Sequence, residues 1–403
     1  MVERYFGINR PETPAMMIHQ ELTARQRILE DEHGGLAGFD ITPPEVQVAQ
    51  LANGNTMTLI DTTLLPGGAF KYLSGVANLI VLPEEIKEVV IATAGNAGKA
   101  LGQAAMRVGK RSIAFSPRDL THIKRSGMED AGMDVISDSY DVAEAMDMAE
   151  AYVSARQHTA ALIHPYNNLW GLAGLRCMGA DIASTLRKLS ADGSLDLKNP
   201  TDVTVAVGGG SGVTGVASGL YSHKVNDGLL QNVSVFAVRP QRLPGGEMNP
   251  IFDGLRVAVP GNNTAPFLED RRFVAGTRYV SESNVADGTR LLSTLSDTMY
   301  EPNAVVAVAA VTKWVADNPG ADSRNFVAVL TGRNTNPDHH EYFMNLRGYK
   351  ESDEYARRMA DRERRVAADL AQVAIKNNLV VTQDVVRHGA RPGMAVLRGV
   401  VAR

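Results

Sequence analysis

The residue of this chain best placed for covalent chemistry is Lys71, in the stretch Leu64-Leu65-Pro66-Gly67-Gly68-Ala69-Phe70-Lys71-Tyr72-Leu73-Ser74-Gly75. A Pro-Gly-Gly turn and an aromatic residue precede it and an apolar run follows. The backbone is therefore held on both sides and the amine is presented. A desolvated lysine can lose its proton and form a Schiff base with a carbonyl, which makes Lys71 a candidate covalent anchor for pyridoxal phosphate. A solvent-facing lysine at a helix start is the competing reading.

Further motifs bear on that choice. Gly208-Gly209-Gly210-Ser211-Gly212 follows a β-branched strand and opens a helix, so successive backbone N–H groups and the helix dipole converge where an anion would sit. A tight turn without a ligand is the plain alternative. A dinucleotide site is the sharper one, because Gly210 to Gly215 has the G-x-G-x-x-G spacing. That motif calls for an acid about 20 residues on, where this chain offers Arg239. Thr93-Ala94-Gly95-Asn96 sets small residues and backbone donors at a strand end, suited to a carboxylate, although Gly-Asn is also a common turn pair. Thr331 ends a strong strand and supplies one hydroxyl, for a ring nitrogen or for a helix cap. The histidines, His164 and His339-His340 among them, lack ligand spacing, and no metal site is expected.

These residues need elements to position them. Thr56 to Asp61 reads as a strand leading into the Pro66 turn, and Tyr72 to Leu82 as a buried helix. Val89 to Thr93 is a strand stopping at Ala94-Gly95-Asn96 before a helix over Ala97 to Val108. Strand and helix then alternate to Ile163, and a second series runs from the Leu172 to Leu189 helix to the strand Phe326 to Leu330. Such alternation implies βαβ units and parallel sheets, with ligands bound at the carboxyl ends of the strands. Residues 1 to 55 are the least patterned, with a short helix expected within Glu21 to Glu32. Ser352 to Lys376 reads as a charged helix with one apolar face, followed by short strands over Leu379 to Val385 and Met394 to Val401.

Composition narrows the function. A 403-residue chain that is 44% hydrophobic is globular and long enough for roughly two or three domains. A net charge of -4 shows no basic excess to recruit nucleic acid or an anionic membrane. One cysteine, Cys177, excludes an intramolecular disulfide. With no apolar core of signal-peptide length in Met1 to Arg25 and no run of about 18 apolar residues, a cytoplasmic location is expected.

Taken in order, Lys71 after Gly-Gly-Ala-Phe, Thr93 to Asn96, Gly208 to Gly212, Glu301-Pro302-Asn303-Ala304 and Thr331-Gly332-Arg333-Asn334 resemble the fold-type II pyridoxal-phosphate enzymes, above all the threonine and serine ammonia-lyases. The likeness runs from about Thr56 to Asn336 and takes in His164-Pro165-Tyr166-Asn167-Asn168. It implies a two-lobed α/β fold like that of the tryptophan synthase β-subunit, each lobe a mostly parallel sheet flanked by helices. The large lobe would take residues 1–87 and 164–345, the small lobe 88–163, with 346–403 appended.

The resemblance also implies roles. Lys71 would be the Schiff-base lysine and catalytic base, Phe70 would lie beside the ring, and Asn96 would meet the ring hydroxyl. Gly208, Gly209, Gly210, Ser211 and Gly212 would hold the phosphate, and Glu301 and Thr331 would complete the cofactor site. Thr93, Ala94, Gly95, Asn96, Ala97 and Arg333 would bind the substrate. A neutral Thr331 hydroxyl at the ring nitrogen makes the ring a weaker electron sink and favours elimination or replacement at the β-carbon. The related racemases carry a serine where this chain has Ala94.

The expected activity is elimination of the β-substituent of a small L-amino acid to a keto acid and ammonia, in a homodimer. A β- or γ-replacement synthase and a non-catalytic ligand-binding relative are the alternatives. Departures from the pattern point away from plain threonine. Ala69 replaces a serine, Ala97 a histidine, Arg333 a glycine, and the Ala-Phe-Lys context is similar to the diaminopropionate ammonia-lyases. Metal-activated members carry Glu-Pro where this chain has Arg239-Pro240, so the resemblance implies activity without a metal.

Overall fold

The computed structural model describes residues 13–243, 246–257, 259–346, 379–381 and 400–402. Its first element is α1 (Pro14–His33), opened by Thr13, whose side chain accepts from the Met16 N–H, and closed by Gly34 in the left-handed region at φ 70°. This helix extends well beyond the expected Glu21 to Glu32. Its buried face includes His19 and two alanines beside Leu22, Ile28 and Leu29, so hydropathy alone understates its period.

β1 (Glu45–Gln50) pairs antiparallel with β2 (Thr56–Asp61). The sequence pattern does not predict β1; it is an edge strand, exposed along much of its length. α2 (Lys71–Ile80) follows the Pro66–Gly68 turn. β3 (Glu88–Ala92), α3 (Asn96–Arg107), β4 (Arg111–Pro117), α4 (His122–Glu129), β5 (Met133–Ser139), α5 (Val142–Ser154) and β6 (Ala160–Leu162) then alternate. They build a four-stranded, wholly parallel sheet in the order β5-β4-β3-β6.

α6 (Leu169–Ala191) starts the second series, which continues through β7 (Thr201–Ala206), α7 (Ser211–Lys224), β8 (Val233–Pro240), α8 (Ala265–Glu269), β9 (Gly276–Val280), α9 (Glu282–Leu295), α10 (Pro302–Asp317), β10 (Asn325–Leu330) and α11 (Pro337–Asn345). The six-stranded sheet has the order β1-β2-β10-β7-β8-β9, parallel except at β1. Its central strands β2 and β10 are buried at every position, as expected of strands covered on both faces. Both sheets belong to one compact unit, residues 1–241 with 250–344.

Residues 242–249 and 345–403 form a second unit. In it β11 (Leu379–Val381) pairs antiparallel with β12 (Val400–Ala402). The expected helix Ser352 to Lys376 lies outside the described residues. No described helix is long and apolar enough to cross a membrane.

Candidate active site

Lys71 is delivered by a turn that only glycine can make. Gly67 and Gly68 sit in the left-handed region at φ 79° and 71°, and a β-carbon on Gly68 would approach Asn334 Oδ1 to 2.9 Å. The segment after β10 clamps this turn. The Phe70 N–H donates to the Thr331 carbonyl at 3.2 Å and the Arg333 N–H to the Gly68 carbonyl at 3.0 Å. Lys71 then opens α2, and its Nζ donates to Ser211 Oγ at 2.6 Å and to the Pro165 carbonyl at 2.9 Å. Burial pulls its pKa from 10.5 down to about 8, because the charged amine loses solvation.

Opposite the amine lies the glycine loop between β7 and α7. No hydrogen bond among the described residues engages the N–H groups of Gly208, Gly209, Gly210, Ser211 or Gly212, although all five residues are buried. Buried donors are rarely left unmatched, so this row of N–H groups at a helix start fits a phosphate. The loop's outer side is filled. A β-carbon on Gly208 would run into the Gly254 carbonyl, one on Gly209 into the Tyr166 ring, and one on Gly212 would come to 3.2 Å from Phe70 Cζ. Gly210, at φ 95°, lies against Thr264, whose Oγ1 donates to the Gly209 carbonyl at 2.7 Å.

Tyr166 is steered into this packing by His164. The His164 Nδ1 accepts from the N–H groups of Tyr166 at 3.3 Å and Asn167 at 3.1 Å, and the two rings meet edge to face at 4.6 Å. Burial, and then the Lys71 charge, lowers the His164 pKa, in keeping with a ring nitrogen that accepts from two backbone N–H groups.

The third part is the loop from β3 into α3. The Gly95 N–H donates to Thr93 Oγ1 at 3.2 Å, and the Gly98 and Lys99 N–H groups return to the Gly95 carbonyl. The N–H groups of Asn96 and Ala97 make no hydrogen bond among the described residues. Two adjacent donors at a helix N-terminus suit a carboxylate. The Asn96 side chain is already engaged. Its Nδ2 donates to both carboxylate oxygens of Glu301 at 2.9 Å, and its Oδ1 accepts from Asn334 Nδ2 at 2.9 Å. Glu301 is buried against Gly332, and burial raises its pKa, opposed by the Asn96 hydrogen bond and the Lys124 charge. Thr331 is buried at the end of β10. Arg333 is exposed beside Lys99, whose Nζ donates to Asn334 Oδ1 at 2.8 Å.

The fold thus joins Phe70, Lys71, Ser211 and the glycine loop in one group and Asn96 with Glu301 in another, while Ala94 and Ala97 lie on the loop before and at the start of α3. Pro165, Tyr166, Thr264, Lys99 and Asn334 join the site without a role predicted from sequence. Of these, Pro165, Tyr166 and Asn334 stand in motifs the sequence marks out, and none of the five carries a local signal of what it touches.

The family model described as pyridoxal-phosphate dependent enzyme matches residues 46–332. The catabolic L-threonine dehydratase of Staphylococcus aureus (strain USA300) is 22% identical over 282 residues, spanning 66% of this chain and 75% of that protein. Among solved structures, the processed form of threonine deaminase isoform 2 from Solanum lycopersicum superposes with a TM-score of 0.66 at 17% identity, covering 81% of this chain and 89% of that one. Maize serine racemase gives 0.63 at 19% identity over 77% and 94% of the two chains.

Proposed function

The chain belongs to the pyridoxal-phosphate dependent enzymes, and from that premise we propose that it is a lyase removing the β-substituent of a small L-amino acid to give a keto acid and ammonia. The observation that carries the reading is the Lys71 amine, lowered to about 8 and held 2.6 Å from Ser211 Oγ at the start of the glycine loop's helix. Lys71 is the covalent anchor and the base. Gly208 to Gly212 would hold the phosphate, Phe70, Asn96, Glu301 and Thr331 would complete the cofactor site, and the loop Thr93 to Ala97 would take the substrate carboxylate together with Arg333. When bound, the cofactor supplies an electron sink for charge that develops at the substrate α-carbon.

The residues then divide the work. The Asn96 and Ala97 N–H groups hold the carboxylate and so turn the α-hydrogen toward Lys71. The Lys71 Nζ, neutral and free once the substrate amine has displaced it, takes the α-proton, and the β-substituent departs with its bonding electrons. Water converts the resulting unsaturated amine to keto acid and ammonia. Ala94 presents a methyl group, which cannot return a proton from the far face, and this supports elimination over racemisation. The small lobe proposed for 88–163 carries the carboxylate loop, the large lobe of 1–87 and 164–345 the cofactor, and the proposed assembly is a homodimer in the cytoplasm.

The assay is keto-acid and ammonia detection over serine, threonine, hydroxyaspartate and diaminopropionate, with chiral analysis of leftover substrate. Keto acid with little D-isomer is the expected outcome. Dominant D-isomer would overturn the elimination reading, and product formed only after a thiol or amine nucleophile is added would assign the chain to the replacement synthases.

A further inference from the structure

Lys124 lies on α4, which belongs to the four-stranded sheet, yet its side chain reaches back over the start of α3. A β-carbon built on Gly95 would lie 3.7 Å from both Cδ and Cε of Lys124 and 3.9 Å from its Nζ. Its ammonium forms an ion pair with Asp253, in the Pro250–Leu255 turn that packs on the glycine loop. Asp253 Oδ1 is held in turn by Asn303 Nδ2 at 3.0 Å, and Asn303 is only 6% exposed. The Lys124 side chain itself remains 28% exposed, so a solute can reach it.

This is an unusual arrangement for a surface ion pair. A half-buried lysine is destabilised by lost solvation unless a carboxylate keeps it charged, and here the carboxylate is braced from behind. An ammonium has three donors, and Asp253 engages it from one side. The Glu301 carboxylate also acts on its charge, and the end of the Lys124 side chain lies beside Gly95, next in the chain to the N–H groups of Asn96 and Ala97, which have no partner among the described residues. Burial lowers the Lys124 pKa and the nearby carboxylates oppose that fall, so a carboxylate seated at those N–H groups would add a further partner for this ammonium beside the helix dipole. Ala97 puts only a methyl group beside that space.

We propose that Lys124 is a second binding group for the substrate α-carboxylate, held in place by Asp253 and acting together with the Asn96 and Ala97 N–H groups. This rests on the reading of Thr93 to Ala97 as the carboxylate loop. It makes Lys124 a selector for α-amino acids over simple amines, whatever reaction follows.

The test uses cofactor-loaded protein titrated with glycine, with L-aspartate and with methylamine, followed by cofactor absorbance. Glycine has no β-substituent, so its binding is judged apart from the elimination reading. Lys124→Gln and Lys124→Met should each raise the half-saturating glycine concentration about tenfold, the loss of one charge-assisted contact. They should leave the methylamine response and the cofactor content unchanged, and Lys124→Arg should recover most of the glycine affinity. Equal weakening toward both ligands, or toward neither, would overturn the proposal. Weakening confined to L-aspartate with glycine unaffected would also reject it, by placing Lys124 on a side-chain carboxylate. A wild-type protein that responds to methylamine and ignores glycine would reject the carboxylate loop itself, whereas glycine binding without keto acid from any β-substituted substrate would reject only elimination.

Discussion

Lys71 owes its reactivity to burial more than to any neighbouring charge, since lost solvation alone is the cause of its fall to about 8. The partners of its Nζ, Ser211 Oγ and the Pro165 carbonyl, are neutral acceptors, so they orient the amine without locking it in the charged form. A lysine of this kind is half neutral near pH 8, where an ordinary one is almost wholly protonated. In cofactor-free protein, labelling of Lys71 by an amine-acylating reagent should therefore rise with pH through about 8 while surface lysines rise nearer 10.5, read by peptide mass spectrometry. Lys71 titrating with the surface lysines would contradict the assignment. Neighbouring glycines matter for a different reason. At Gly208 and Gly209 an added β-carbon meets backbone or ring, so the loop's shape is set by what is packed behind it.

At the scale of elements, α1 is fastened by a buried cation. Arg176 of α6 is 2% exposed and donates to Gln26 Oε1 at 2.7 Å, Thr23 Oγ1 at 2.6 Å and the His19 carbonyl at 3.2 Å on α1, and to Ser218 and Ser222 of α7. His19 completes the junction with a 2.9 Å hydrogen bond to Ser218 Oγ and ring contacts to Tyr221 and Phe273. Burial first, and the Arg176 charge second, lower the His19 pKa from 6.5 to about 3. Between those values the unfolded chain binds more protons than the folded one. The stability contributed by neutral His19 is complete above about 6.5 and is lost as pH falls toward about 3. Urea unfolding across that window should show this slope in the wild type and a shallower one in His19→Gln. Identical slopes would mean that α1 does not depend on the neutral ring.

For the whole molecule, every candidate site residue lies in the unit made of residues 1–241 and 250–344. Its two sheets meet the site with the carboxyl ends of their strands: β3 leads to Thr93, β7 to Gly208, and β10 to Thr331, as the crevice rule for parallel sheets requires. A chain ended after Met344 should keep the cofactor absorbance. Loss of that absorbance in a shortened protein that still shows a cooperative thermal transition would show that residues 345–403 contribute to the site.

Lys71 after its glycine turn, the glycine loop after β7 and the alternation of strand and helix are legible in the sequence because each is a local property. A φ that only glycine tolerates, a β-branched run and a helix start all leave their mark within a few residues. β1 and β9, both edge strands, and the full length of α1 escape such a reading because partial exposure and a buried histidine dilute the hydrophobic period. Contacts are illegible for another reason. Asn96 meets Glu301 across 205 positions and Lys71 meets Ser211 across 140, while Tyr166 behind Gly209 and Lys124 over Gly95 belong to elements that come together only when the crossovers close. Local composition therefore marks out the chemically capable residues and the strand ends at which they stand. Which of them touch is set by the assembled fold, because pairing across parallel sheets depends on register and crossover packing, which no local pattern encodes.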